Sequence, residues 1–215
     1  MQPLRDPRPT PDLKICGITD PEQAQAIAQM GVQAIGVIGV PATPRFVEPA
    51  QRRALFQLLE QQHPQLHRVW VVADPDDAAL EEALNGAGQP SVVQLHGSES
   101  DERCQHLKQR YPRQQWWKAL RVREPDDLKQ LEHYAPNVDA LLIDAWSADQ
   151  LGGTGHRIPL DWVRETELSV PWWLAGGVSA EWVPELLSRV NPQGLDASSR
   201  LEERPGWKNL DKVHF

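Results

Sequence analysis

Two residues far apart in the chain, Cys16 and Asp144, offer the sequence's clearest acid–base chemistry. Cys16 closes the short apolar run Leu13-Lys14-Ile15-Cys16-Gly17, after which Thr19-Asp20-Pro21-Glu22 reads as a helix start. A single cysteine in a strand is most often a small buried hydrophobe. A free thiol is only about 3% ionised at pH 7, from a reference pKa near 8.5, so to act as a base Cys16 needs positive charge nearby. Asp144 closes Leu141-Leu142-Ile143. A carboxyl group there is either a cap or ion-pair partner, or a desolvated group with a raised pKa that can donate a proton near neutral pH. Arg45, presented by Pro44, is a candidate source of the positive charge and a two-pronged anchor for a carboxylate. His96 is placed to hydrogen-bond or stack against a ligand. Lys14 shares the run with Cys16, and its facing is left open by the sequence.

A second set of residues suits an anion. Gly176-Gly177 precede a helix near Ser179, Ser198-Ser199 precede a short turn, and Gly152-Gly153-Thr154-Gly155 lie beyond Asp144. Glycines let backbone approach a ligand, and N–H groups at helix starts point at an anion placed there. Together these segments predict a phosphate site.

The elements that must hold these groups alternate along the whole chain. Strands are predicted at 13–17, 34–38, 68–72, 91–96, 115–121, 139–144, 170–175 and 194–197. Helices are predicted at 20–31, 49–62, 75–84, 99–110, 124–134, 159–166, 179–189 and 206–213. Eight strands alternating with eight helices point to a parallel sheet closed as a single-domain (β/α)8 TIM barrel. In that architecture chemistry gathers at the C-terminal ends of strands, which is where Cys16, Arg45, His96, Asp144, Gly176-Gly177 and Ser198-Ser199 fall. Residues 1–11, with four prolines among charged residues, read as a flexible arm before a catalytic domain over 12–215. The doublets Trp116-Trp117 and Trp172-Trp173 should put one ring inside the barrel and the other under a helix.

With a net charge of −8, the 215-residue chain is a poor partner for nucleic acid or an anionic membrane. No stretch is apolar enough for a membrane span, so the expected location is cytoplasmic. The two cysteines, Cys16 and Cys104, are not expected to pair and make no zinc site. A phosphorylated small molecule is the expected partner, for a monomer or a homodimer.

These motifs together resemble the phosphoribosylanthranilate isomerase family, from Lys14 to Phe215. They are Lys14-Ile15-Cys16-Gly17-Ile18-Thr19, Thr43-Pro44-Arg45-Phe46-Val47, Val93-Gln94-Leu95-His96-Gly97, Leu142-Ile143-Asp144, Gly152-Gly153-Thr154-Gly155, Leu174-Ala175-Gly176-Gly177 and Asp196-Ala197-Ser198-Ser199. The resemblance implies an Amadori rearrangement in tryptophan biosynthesis, with no metal and no organic cofactor. It makes Asp144 the acid that opens the ribose ring and Cys16 the base that removes the C2 proton. It gives Arg45 the anthranilate carboxylate, puts His96 in the same aromatic pocket, and assigns the phosphate to backbone around Gly153, Gly155, Gly176, Gly177, Ser198 and Ser199. Departures are Arg200, where the family usually has Gly, and Trp70, also in place of Gly. Two other readings are an isomerase or epimerase of a different phosphosugar and a non-catalytic binding protein, the latter motivated only by Arg200.

Overall fold

The chain is described by a computed structural model over residues 10–145 and 157–213. The elements are β1 (Asp12–Cys16), α1 (Pro21–Gln29), β2 (Ala34–Ile38), α2 (Pro49–Gln62), β3 (His67–Val72), α3 (Asp77–Leu84), β4 (Val92–Leu95), α4 (Asp101–Arg110), β5 (Gln115–Val122), α5 (Gln130–Tyr134), β6 (Ala140–Ala145), α6 (Leu160–Val163), β7 (Trp172–Leu174), α7 (Val183–Arg189) and β8 (Gly194–Ala197). After β8 come two short strands, β9 (Glu202–Arg204) and β10 (Trp207–Lys208). Strands β1 to β8 pair in chain order and close into a parallel barrel, as the alternation predicts. Of the expected arm, residues 1–9 lie outside the described residues.

Helix starts are set by side chains that accept otherwise unpaired N–H groups. Asp20 accepts from the Gln23 amide, Asp76 from Ala79 and Ser100 from Arg103, each cap being worth about 1 kcal/mol. Gly31 stops α1 in a left-handed conformation with φ of 85°, which a Cβ would disfavour.

Alternation along the strands sorts their side chains into two layers. Cys16, Val69, Val71, Trp117, Leu142 and Trp173 belong to a cluster inside the barrel, whereas Ile15, Trp116 and Trp172 pack in the larger core between strands and helices. Each tryptophan doublet is therefore split as expected. The two inner rings stack with centroids 4.8 Å apart, and Trp173 lies where a Cβ on Gly194 would stand. Trp70 belongs to the outer core, with the Arg52 guanidinium 4.5 Å above its ring. Its replacement of Gly is a matter of packing.

The eighth helix differs from expectation. Residues 206–213 form no α-helix; β9 and β10 make an antiparallel hairpin, followed by a single 3-10 turn at Leu210–Lys212. Gly206, with φ of 80°, makes the hairpin turn. Polar anchors favour this course: Gln23 on α1 donates to the Lys208 carbonyl at 2.8 Å and accepts from the Lys208 amide at 2.9 Å. Thr19 Oγ1 donates to the Gly206 carbonyl at 2.8 Å. The hairpin is thus fastened to the loop that follows β1. The N-terminal ends of β1 and β8 border a cavity of about 440 Å³ lined by Leu13, Met30, Val32, Val183, Leu187 and Leu195, at the end of the barrel away from Cys16. Smaller differences are the late start of α7, the shortness of α6, and the division of 124–134 into a 3-10 turn at Pro125–Lys129 and α5.

Candidate active site

Cys16 ends β1 facing into the barrel, 7% exposed, and its sulfur occupies the space that a side chain on Gly36 would need. Lys14 has the same parity, which settles its facing: it is fully buried, with Nζ 2.9 Å from Oδ2 of Asp196, its register neighbour on β8. Burial pushes the Cys16 thiol above its ordinary range; Lys14 and Lys208 oppose the shift and Asp196 adds to it. Desolvation also acts against Lys14, but Asp196 and Cys16 outweigh it and hold its ammonium above the usual lysine value. Positive charge does stand beside the thiol, and its main source is Lys14 rather than Arg45.

Asp144, near the end of β6, is 5% exposed. His96, just past β4, is 8% exposed and sets Nε2 3.5 Å from Asp144 Oδ2, close but not hydrogen-bonded. Gln94, two residues before His96 on the same inner face, is 3.2 Å from His96 Nδ1 through its amide nitrogen. Burial raises the Asp196 carboxyl; Lys14 opposes the rise and the field of Asp144 adds to it, so the two carboxyl groups share one electrostatic site.

Arg45 lies over Gly17, its Cδ where a Cβ of Gly17 would stand, and is 7% exposed. Its guanidinium grips Glu202 through Nε at 2.8 Å and Nη2 at 2.7 Å. Glu202 also accepts from Lys208 Nζ at 2.8 Å. Burial works against Glu202's ionisation, but Arg45 and Lys208 together hold its carboxyl below the usual range.

On the other side of the mouth, Gly176 and Gly177 follow β7 with φ of 92° and 67°, conformations suited to glycine. Ser198 follows β8 and donates through Oγ to the Cys16 carbonyl at 2.9 Å. Ser199 opens a 3-10 turn through Leu201. Among the described residues, no backbone partner engages the amides of Gly176, Gly177, Ser198 or Ser199. Gly153 and Gly155 lie outside the described residues. Arg200 is exposed within the 3-10 turn and has no positive φ, so its side chain strains nothing and the motive for a non-catalytic reading is gone.

Cys104 is remote from this mouth, in α4, and burial pushes its thiol up to about 12. Both cysteines are free. Among the described residues, no group of three His, Cys, Asp or Glu side chains could hold a metal ion, and no helix is long and apolar enough to cross a membrane.

Four groups at the mouth have no role assigned from the sequence: Gln94 and Asp196, which lie within its motifs, and Glu202 and Lys208, which do not. Asp196 sits two residues before Ser198 and Gln94 two before His96, a spacing that marks both as inward-facing once the strands are known. Glu202 and Lys208 give no such signal: Glu202 lies between the predicted strand 194–197 and helix 206–213, and Lys208 falls within that helical pattern.

The arrangement pairs a buried carboxyl with a buried thiol, with an arginine and unpaired backbone amides at separate places for two anions. The sequence matches the family described as N-(5'phosphoribosyl)anthranilate (PRA) isomerase over residues 13–215. It is 43% identical over 203 residues to the N-(5'-phosphoribosyl)anthranilate isomerase of Thermosynechococcus vestitus, covering 94% of this chain and 86% of the relative. The phosphoribosyl anthranilate isomerase of Thermotoga maritima superposes with a TM-score of 0.83 at 26% identity, covering 95% of this chain and 96% of that one. A phosphoribosyl anthranilate isomerase in complex with reduced 1-(o-carboxyphenylamino)-1-deoxyribulose 5-phosphate superposes at 0.77 with 26% identity, covering 95% of each chain.

Proposed function

The chain belongs to the N-(5'-phosphoribosyl)anthranilate isomerase family of tryptophan biosynthesis, and from that premise we propose how the mouth of this barrel carries out the aldose–ketose isomerisation. Asp144 gives its proton to the ribose ring oxygen as the C1–O bond breaks, and the anthranilate nitrogen lone pair closes a protonated Schiff base at C1. Cys16, as thiolate, takes the C2 proton; the C–H electrons form the C1–C2 double bond and quench the iminium charge. The resulting enolamine tautomerises to the ketone. The division into one acid and one base fits the two buried groups on β1 and β6.

One observation supports a polar ligand at this mouth. Among the described residues, six buried side-chain polar atoms lack a hydrogen-bond partner, and three of them, Gln94 Oε1, His96 Nε2 and Asp196 Oδ1, belong to the mouth. An unsatisfied buried polar atom costs about 1–3 kcal/mol, so a cluster of them favours a polyhydroxylated ligand. Asp196 Oδ1 suits a ribose hydroxyl. His96 borders the anthranilate ring, Arg45 takes its carboxylate, and the amides around Gly176, Gly177, Ser198 and Ser199 take the phosphate, with Gly153 and Gly155 from the β6–α6 connection. Glycine loops after the seventh and eighth strands are a common phosphate cradle in such barrels.

The same reading takes residues 12–215 as one catalytic domain preceded by an arm, acting in the cytoplasm as a monomer or homodimer on a phosphorylated small molecule. Its net charge of −8 disfavours nucleic acid and anionic membranes as partners.

The direct test is turnover of N-(5'-phosphoribosyl)anthranilate by purified protein without added metal, followed by substrate consumption. Conversion to the ketose product is expected, and no conversion by folded protein would sink the reading. Arg45→Ala should weaken binding of carboxylate-bearing product analogues by roughly 10- to 150-fold, the scale of about 1.5–3 kcal/mol for hydrogen bonds to a charged group. Unchanged affinity by calorimetry would remove Arg45 from the site.

A further inference from the structure

Arg45 meets Glu202 by only one edge of its planar fork. Nε and Nη2 donate to the two carboxylate oxygens, while the outer edge formed by Nη1 and the second Nη2 hydrogen is engaged by no described side chain. A bidentate clamp on the inner edge fixes the plane of the guanidinium, which presents the outer edge to a second carboxylate in a set orientation. Glu202 alone would cancel the charge of Arg45 and leave a substrate carboxylate facing a neutral pair. Lys208 changes that balance. It is 1% exposed as a residue, and its Nζ lies 2.8 Å from Glu202 Oε1; burial lowers its pKa and Glu202 opposes the loss, and with Lys208 charged the three groups together carry one net positive charge. Its backbone is held on both sides by Gln23, and the Gly206 amide also points at Glu202 Oε1, 3.2 Å away. The hairpin that replaces the eighth helix thus delivers both groups to Arg45.

We propose that Glu202 and Lys208 are positioning residues of a three-group subsite for the aryl carboxylate, in which Glu202 orients Arg45 and Lys208 keeps the subsite at a net charge of +1. The proposal rests on the isomerase reading and extends it to Glu202, which touches Arg45, and to Lys208, which touches Glu202 and Ser198. Lys208 serves here through its charge, so its removal differs from the loss of a packing contact.

The experiment compares two ligands by calorimetry: reduced 1-(o-carboxyphenylamino)-1-deoxyribulose 5-phosphate and its counterpart lacking the carboxyl group. In Lys208→Met the affinity ratio between them should fall about tenfold. The KM for substrate should rise by a similar factor, and kcat should fall too because Lys208 also helps Cys16 ionise, so the affinity ratio on unreactive ligands is the readout that isolates the subsite. Lys208→Arg should keep the wild-type ratio. The double variant Glu202→Gln/Lys208→Met restores net +1 but gives up the two-pronged clamp on Arg45, so it should recover part of the lost ratio, which a purely structural role would not produce. Lys208→Gln replaces the methionine variant should that one not fold. A folded Lys208 variant with the wild-type ratio, or a double variant no better than the single, would overturn the subsite. Wild-type protein that fails to turn over the substrate would instead overturn the isomerase reading.

Discussion

Asp144→Asn lowers kcat by about 10²- to 10⁴-fold while leaving the affinity for the reduced product analogue within a few-fold of wild type. The magnitude is that of losing a positioned general acid. Asparagine keeps the shape and polarity of the side chain at the end of β6 but has no proton to transfer to the ring oxygen, so binding survives and ring opening does not. The nearest competitor for the role is His96, whose Nε2 stands 3.5 Å from Asp144 Oδ2 and makes no hydrogen bond. The two are separated by steady-state kinetics on paired variants. If Asp144 is the acid, His96→Asn raises KM more than it lowers kcat. If His96 is the acid, the pattern reverses, and full turnover by Asp144→Asn would remove the carboxyl from the mechanism.

The alternation of apolar runs and helical segments was enough to close the barrel, because each strand and each helix carries its own local signal. Strands 34–38 and 194–197 and the helix 49–62 fall where periodicity puts them. The end of the chain was illegible for a physical reason. Residues 206–213 have a helical spacing of apolar side chains, but the contacts that decide their course are long-range: Gln23 reaches Lys208 across 185 residues and Thr19 reaches Gly206 across 187. Local pattern carries no trace of such partners, so Glu202 and Lys208 escaped notice. The pairing of Lys14 with Asp196 is of the same kind. Each residue is visible at a strand, yet their meeting depends on β1 and β8 closing the barrel in the register Lys14 to Asp196. The chemistry demands positive charge near Cys16; Lys14 is its main source, while Arg45, a candidate from the sequence, also feels the thiol's field although it is engaged by Glu202.

Cys16→Ser is the complementary prediction, a loss of about 10²- to 10⁴-fold in kcat with analogue binding retained. A hydroxyl is far less acidic than a thiol, so the serine variant offers almost no anion to remove the C2 proton although it fills nearly the same space beside Gly36. The harder question is how the thiol ionises at all, since burial raises its pKa. Lys14 and Lys208 supply part of the answer, and the reaction supplies the rest: once Asp144 has opened the ring, the iminium nitrogen adds a positive charge next to the C2 carbon and favours the thiolate when it is needed. In the free enzyme that charge is absent. Alkylation of Cys16 by iodoacetamide, measured in a Cys104→Ala background, should therefore keep rising with pH, about tenfold per unit, without levelling off below the ordinary thiol pKa of about 8.5. The sign follows from the thiolate being the reactive form and from a raised pKa delaying its appearance. A plateau below that pH would mean that the resting enzyme already holds a thiolate, and the substrate's own charge would then have no part in making the base.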